Sequence, residues 1–189
     1  MPRLLDAVLP STLGNACPHI DIAAYDLTLA GSPYRFADYA VGEKIDHVDG
    51  MTVEEAEHQI ATRLYQNTAR IHFDQYSAAK GRFGRRLIYG GHVISLARAL
   101  SFNGLANAFH IAAINGGRHV SPLFAGTTVF AWSEVLGKAD VPGRDDIGAL
   151  RLRTVAAKDQ PCSDFPLKSG SEDEPSVLLD LDYWALMPK

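Results

Sequence analysis

The sequence predicts an α+β fold in which an antiparallel β-sheet wraps around one central, apolar helix. Residues after Gly91 repeat apolar side chains at helical spacing and carry almost no charge, which is typical of a buried helix. Three later segments, residues 127–136, 150–153 and 179–184, alternate in side-chain character with a period of two, as strands do. A sheet that covers one helix satisfies this order of elements.

The first 33 residues are predicted to be a linker or an N-terminal arm outside the core. Prolines and glycines interrupt any regular spacing there, which is typical of connecting segments. The segment resembles a connector inside a longer protein more than a natural beginning. We therefore predict one domain, at residues 34–189.

A helix is predicted from Thr52 to about Gln66, after a short strand around Ile45 and Val48. Residues 52–55 have the capping-box pattern, in which a hydroxyl and a carboxylate three residues later satisfy free backbone amides. A stripe of apolar residues at helical spacing is predicted to face the core: Val53, Ala56, Ile60 and Leu64.

The central helix is predicted to begin at Gly91 and to be flanked by irregular segments. Residues 67–84 are polar and predicted to be irregular, and residues 158–176 are predicted to form a long exposed hairpin loop. The apolar stripe of the helix consists of Val93, Leu96, Ala97 and Leu100, widened by Ile94, Leu105 and Ala108.

Composition excludes several classes of function. The 189 residues have room for one sizeable core, and a net charge of −4 argues against a broad nucleic-acid surface. Residues 1–13 lack a signal-peptide pattern, and residues 99–117 hold too many asparagines for a membrane span. Cys17 and Cys162 lie far apart, without metal-type spacing. We expect inert thiols in a cytoplasmic protein that contacts neither nucleic acid nor a membrane.

His72 is the first candidate for chemistry. A histidine passes protons in both directions near neutral pH, which hydration and dehydration require. The amide of Asn67, five positions earlier, is close enough in sequence to orient a water molecule. The alternative is that His72 is an ordinary loop histidine, and the spacing alone does not decide.

The second candidate is the segment Tyr89, Gly90 and Gly91 at the start of the central helix. Glycines let the backbone approach a ligand closely, and the first amides of a helix point outward with its positive dipole end. Such amides suit a thioester carbonyl oxygen as it gains negative charge. The alternative is that glycine merely relieves crowding at the start of the helix.

Basic residues cluster near both candidates. Lys80, Arg82, Arg85 and Arg86 could contact phosphates of a ligand such as coenzyme A, and Arg118 with His119 forms a second basic spot. Either cluster could instead be a solvated face. The sequence contains no zinc-type spacing, P-loop, dinucleotide fingerprint or nucleophile elbow, so covalent catalysis is not favoured.

Together these segments resemble the MaoC-like hydratase/dehydratase family. The resemblance rests on the spacing of Asn67 and His72 and on residues 88–91 and 121–128, and it extends through residues 46–58, 99–107 and 179–187. It implies a hot-dog fold that acts on acyl-CoA thioesters without a metal or organic cofactor. The coenzyme A group would be part of the substrate, a 2-enoyl-CoA such as the branched dicarboxylic mesaconyl-CoA.

The resemblance assigns roles to these residues. His72 transfers the proton, Asn67 orients water and the Gly91 amide polarises the thioester carbonyl. The expected substrate-binding residues are Tyr89, Gly90, Arg70, Arg86 and Arg118, with Arg70 or Arg118 facing a free carboxylate of the substrate.

Two departures from the family leave alternatives open. The family has an aspartate where this chain has Asn67, so His72 acts with Asn67, another carboxylate such as Asp74 or Glu55 substitutes, or activity is weak. The chain also resembles only the second of two hot-dog halves, and a homodimer would restore a two-domain site. The rival functions are a non-catalytic acyl-CoA-binding half-domain and a hot-dog acyl-CoA thioesterase.

Overall fold

The computed structural model describes residues 8–189 and has the hot-dog architecture. Its helices are α1 (Leu27–Ala30), α2 (Glu55–Leu64), α3 (Arg70–Phe73), α4 (Gln75–Ala78), α5 (Gly90–Leu100) and α6 (Phe102–Leu105). Its strands are β1 (Lys44–Asp46), β2 (Met51–Thr52), β3 (His110–His119), β4 (Thr128–Val141), β5 (Arg144–Lys158), β6 (Lys168–Ser169), β7 (Glu172–Asp173) and β8 (Val177–Pro188). Short 3₁₀ turns cover Pro10–Ala16, Ile22–Ala24 and Phe36–Asp38.

The main sheet is antiparallel and has the strand order β1-β4-β5-β8-β3, with β2 also paired to β4. The three segments predicted to be strands fall within β4, β5 and β8, and these strands are longer than predicted. Inward positions are matched across the sheet, with Leu152 opposite Val135 on one side and Tyr183 on the other. Alternation therefore places one continuous apolar surface against the helix.

Helix α5 packs against β4, β5 and β8, which confirms the prediction of a central helix. Burying large aliphatic side chains stabilises this packing by about 1.5–3 kcal/mol each. The fully buried stripe consists of Val93, Leu96, Ala97 and Leu100, as predicted. This packing holds α5 in place, and its first residues lie near His72, the candidate histidine.

Helix α2 begins three residues later than predicted. Thr52 lies in β2, where its hydroxyl is 2.9 Å from that of Thr128, and Val53 N–H donates to Thr127 O. Pairing with β4 therefore keeps this segment extended. The capping box is formed instead by Glu54 and Glu57.

The predicted buried face of α2 is also wrong. Ile60 and Leu64 are 59% and 72% exposed, whereas His58 and Thr62 on another face are buried. The reason is hydrogen bonding: buried polar groups on α2 hold backbone of the candidate site, as described below. Apolar periodicity does not report such bonds.

The two segments predicted to be irregular contain some regular structure. Residues 67–84 form the single-turn helices α3 and α4, with the Asp74 carboxylate capping α4 through Ser77. Residues 158–176 contain the small hairpin of β6 and β7. Cys162, in the same segment, is buried in a cluster with Trp132, Val155 and Val177, and burial raises the pKa of its thiol to about 12.

The N-terminal segment contributes to a second core, contrary to the expectation that it stays outside. Residues 1–7 of the predicted arm lie outside the described residues. Leu13, only 1% exposed, packs with Val141, Ile147 and Trp184 on the other face of the sheet. The domain boundary near residue 33 stays a prediction.

Within residues 8–189, the helices are all too short and too polar to cross a lipid bilayer.

A chain of buried polar side chains crosses the main core. The ring of His47 donates from Nδ1 to Asn103 O at 2.6 Å and accepts at Nε2 from Ser133 Oγ at 2.8 Å. Further hydrogen bonds extend this series from the hydroxyl of Ser133 to that of Thr154, and from Thr154 to the hydroxyl of Tyr183. Burial lowers the pKa of His47 to about 4. The ring is therefore neutral in the native state, because a proton on Nε2 would remove the acceptor for Ser133.

We expect His47 to make the protein sensitive to mild acid. Its pKa is about 4 when folded and 6.5 when unfolded, so the unfolded chain binds an extra proton between these values. The free energy of unfolding should therefore fall by about 3 kcal/mol as the pH is lowered from 6.5 to 4. Urea unfolding across this range measures the slope. His47→Gln should flatten it and His19→Gln, at an exposed position, should not; equal slopes in both variants would contradict the assignment.

Candidate active site

The imidazole of His72 has one nitrogen held and the other free. His72 lies on α3, half-buried, with Nδ1 2.9 Å from the carbonyl oxygen of Leu87. Because a carbonyl only accepts, Nδ1 carries the hydrogen in the neutral ring and Nε2 presents a lone pair. Nε2 has no hydrogen-bond partner within residues 8–189. This is the arrangement of a general base.

The start of α5 provides two backbone donors beside this ring. The N–H groups of Gly90 and Gly91 bond to no described residue, whereas those of His92 and Val93 donate to Tyr89 O. The Tyr89 ring is 5.9 Å from that of His72, edge to face. The predicted neighbours, an imidazole and the first amides of the central helix, are therefore brought together.

The two glycines are needed by the protein's own side chains. A Cβ on Gly90 would lie 2.5 Å from Nε2 of His119, and a Cβ on Gly91 would lie 2.5 Å from Cζ of Tyr89. The space above Gly90 that was expected to admit a ligand holds the His119 ring. Desolvation by the surrounding protein lowers the pKa of His119, and the charge of His72 lowers it further. His119 therefore belongs beside the site, not to a separate phosphate-binding spot.

His58 connects the two halves of the site and was missed by the sequence reasoning. Its Nε2–H donates to the His72 carbonyl oxygen at 2.9 Å, and its Nδ1 accepts the Tyr89 N–H at 3.3 Å. Gln59 Nε2 donates to the same His72 carbonyl, and Thr62 Oγ1 donates to the carbonyl of His58. Burial lowers the pKa of His58, which keeps the ring neutral. The only sequence signal was two polar residues spaced four apart on one helix.

The carbonyl oxygen of the Asn67 side chain accepts the Ala69 N–H at 2.9 Å and so closes the turn before α3. The structure gives Asn67 this local contact, and its contact with a water molecule stays a prediction. The carboxylates considered as substitutes have other partners: Asp74 caps α4 and Glu55 accepts from Arg86 at 2.6 Å.

The arginines predicted to bind the substrate differ in whether their guanidinium groups already have a carboxylate partner. The guanidinium of Arg118 is bound by Asp173 and also lies 3.5 Å from Asp180, so it is less available to a substrate carboxylate, and its role stays a prediction. Arg86 is occupied by Glu55. Arg70 is exposed, and its guanidinium makes no hydrogen bond or ion pair with residues 8–189, although its charge helps to lower the pKa of Asp74. In the same residues, His, Cys, Asp and Glu side chains form no group of three suited to a metal ion.

The family follows from a match over most of the chain. A profile described as MaoC like domain matches residues 36–154. The chain belongs to the MaoC-like family. Its fold is thus that of a MaoC-like domain.

Relatives of this MaoC-like domain carry more specific names. It is 64% identical over its whole length to a β-methylmalyl-CoA dehydratase of Chloroflexus aurantiacus, and 60% identical to a mesaconyl-CoA hydratase of Cereibacter sphaeroides. A crystal structure of a putative MaoC domain protein dehydratase from C. aurantiacus superimposes with a TM-score of 0.92 at 59% identity, covering all of this chain. The chain spans about half the length of these relatives, 54% of each.

Proposed function

We propose that this MaoC-like domain catalyses reversible hydration of a 2-enoyl-CoA thioester. The observation that carries the proposal is the His72 ring, held at Nδ1 with Nε2 free, beside the two unpaired amides at the start of α5. Proton transfer and stabilisation of an enolate oxygen are the two tasks of this reaction. The names of the relatives, a CoA-ester hydratase and a CoA-ester dehydratase, support the same chemistry.

The mechanism assigns one task to each group. The Gly91 N–H donates to the thioester carbonyl oxygen, which gains negative charge as the enolate forms. Nε2 of His72 removes a proton from water while the water oxygen bonds to C3 of the enoyl group. The same proton then passes to C2, which restores the carbonyl and the neutral imidazole. Asn67 orients the water through its amide, and dehydration reverses these steps.

The proposed substrate is mesaconyl-CoA or a similar branched dicarboxylic thioester, as in the names of the relatives. Its free carboxylate needs a cation or a hydrogen-bond donor near the site. Arg70 fits this role better than Arg118, because the Arg118 guanidinium is hydrogen-bonded to Asp173 whereas that of Arg70 forms no hydrogen bond or ion pair with a carboxylate in the described chain.

The proposed assembly is a homodimer of hot-dog domains. Strand β3 lies at the end of the sheet with ten residues and an unpaired edge within the described chain. It presents Ile111, Ala112, Ala113 and Ile114, and Ile114 is 55% exposed. A long apolar edge favours pairing with another strand, here β3 of a second copy. A cytoplasmic location stays part of the proposal.

A mass-resolved product assay tests the function and its rivals. We expect addition of 18 Da to mesaconyl-CoA or crotonyl-CoA, with the oligomeric state measured alongside. Release of free CoA would instead support a thioesterase.

The non-catalytic alternative is favoured by the Asn67 side chain, which is not a carboxylate and already accepts a backbone amide. Asn67→Asp decides it: an inert wild type that becomes a hydratase on this change would support the binding module. Hydration by the wild-type protein would exclude it.

A further inference from the structure

A small cleft lies between Ile71 of α3 and the segment from Ser77 to Arg85. It has a volume of about 150 Å³ and is lined by Ile71, Ala78, Arg82, Phe83 and Arg85, among others. The walls are largely apolar, with two guanidinium groups among them. Ile71 precedes His72, so the cleft and the candidate active site share α3 as a wall. A cleft of this size accepts a small flat group such as a purine base, with attached groups remaining at its mouth.

The two arginines are held by aromatic rings and not by carboxylates. The guanidinium carbon of Arg82 lies 5.2 Å from the Phe83 ring centroid, and that of Arg85 lies 4.8 Å from the Phe124 ring centroid. The two rings pack edge to face at 5.5 Å. Arg85 also donates to Ala125 O at 2.6 Å. A guanidinium stacked on a ring keeps edge N–H groups that can donate to two oxygens of a phosphate.

Arg82 and Arg85 also differ from most other arginines of the described chain in having no ion pair with a carboxylate. Neither Arg82 nor Arg85 forms an ion pair with residues 8–189. By contrast, the following arginines all contact carboxylates: Arg86, Arg118, Arg144, Arg151 and Arg153. The cleft therefore holds cations whose charge the protein does not neutralise locally.

The local charge is opposite to that of the whole chain. Residues 75–86 contain Lys80, Arg82, Arg85 and Arg86 and no acidic residue, whereas the chain as a whole carries −4. Lys80 lies over the Tyr76 ring at 3.8 Å, which adds a third cation near the cleft. A concentrated positive field on an acidic protein attracts a polyanion to this surface.

We propose that this cleft binds the adenosine 3′-phosphate 5′-diphosphate end of the acyl-CoA. The inference rests on the proposed function for the identity of the ligand. The base occupies the apolar part of the cleft, and the phosphates contact Arg82 and Arg85 at its mouth. The flexible pantetheine arm joins this end to the thioester at the candidate active site, and α3 contributes Ile71 to the cleft and His72 to the active site.

A truncated substrate separates the nucleotide contacts from the chemistry. The enoyl thioester of CoA is compared with the pantetheine thioester of the same acyl group, which lacks the nucleotide. In the double variant Arg82→Gln/Arg85→Gln, the ratio of kcat/KM for the CoA thioester to that for the pantetheine thioester should fall about 10- to 100-fold, through KM. Arg63→Gln, which removes a charge from the exposed side of α2, should leave the ratio unchanged. An unchanged ratio in the double variant overturns the proposal.

Direct binding distinguishes failure of this inference from failure of the proposed function. If the wild type turns over neither thioester, the hydratase proposal fails, and calorimetry with adenosine 3′,5′-bisphosphate tests the cleft alone. Binding by the wild type that is lost in the double variant and kept in Arg63→Gln supports the site. Absence of binding, or equal binding by all three proteins, overturns it.

Discussion

Replacement of His72 by alanine is expected to lower kcat/KM for hydration of an enoyl-CoA by about 10²- to 10⁴-fold. The variant removes the Nε2 atom that has no partner in the described chain and is therefore free to take the proton of water. The Gly91 amide remains, so a residual rate from carbonyl polarisation should persist. Steady-state rates with crotonyl-CoA and mesaconyl-CoA measure the loss.

The control is a second histidine, away from the site. His19→Ala, at an exposed position in the N-terminal segment, should keep the wild-type rate. His72→Ala also loses the hydrogen bond to Leu87 O, which contributes about 0.5–1.5 kcal/mol to stability. Thermal unfolding should therefore change only modestly. A folded variant with an unchanged rate would remove His72 from the mechanism.

The central helix and the long strands could be predicted because their signals are local. The stripe from Val93 to Leu100 and the alternation in β4, β5 and β8 result from burying one face of each element, and periodicity reports that directly. The capping box was misplaced because Thr52 pairs with Thr128 in a strand 76 residues away, which a local pattern does not contain. Both residues 52–55 and residues 54–57 can form a capping box, and α2 begins at the later one because Thr52 is paired in the sheet.

Within the candidate site, the sequence predicted which groups lie together better than it predicted what surrounds them. The neighbourhood of His72 and the start of α5 was expected. The occupant of the space above Gly90 was not, because His119 reaches it from the end of another strand. The ion pair between Arg118 and Asp173 was also not foreseen, because the two residues are 55 positions apart and meet only in the folded structure. Contacts made between distant segments carry no periodic or compositional signal.

Replacement of His58 by alanine is expected to lower kcat about 10- to 100-fold, with a much smaller change in KM. One neutral ring donates to the carbonyl of His72 and accepts the amide of Tyr89, so it fixes the base relative to the donors of α5. Leaving these buried groups without that partner costs about 1–3 kcal/mol, and each 1.4 kcal/mol felt only in the transition state is tenfold in rate. Rates and KM for the enoyl-CoA, measured with thermal unfolding, test this positioning role.

Two further variants separate positioning from general loss of structure. His58→Gln keeps a donor for the His72 carbonyl, so it should recover part of kcat. Thr62→Val removes the bond to the His58 carbonyl at 2.8 Å and a 3.4 Å contact with His58 Nδ1, but it keeps the ring's bonds to His72 and Tyr89. It should therefore lower stability with a much smaller effect on kcat than His58→Ala. In the proposed mechanism His58 touches neither the thioester nor water. The kcat values of the three variants should therefore follow how well each one holds His72 relative to the start of α5. If kcat followed thermal stability across the three variants, His58 would be a structural residue of the core and would not position the base.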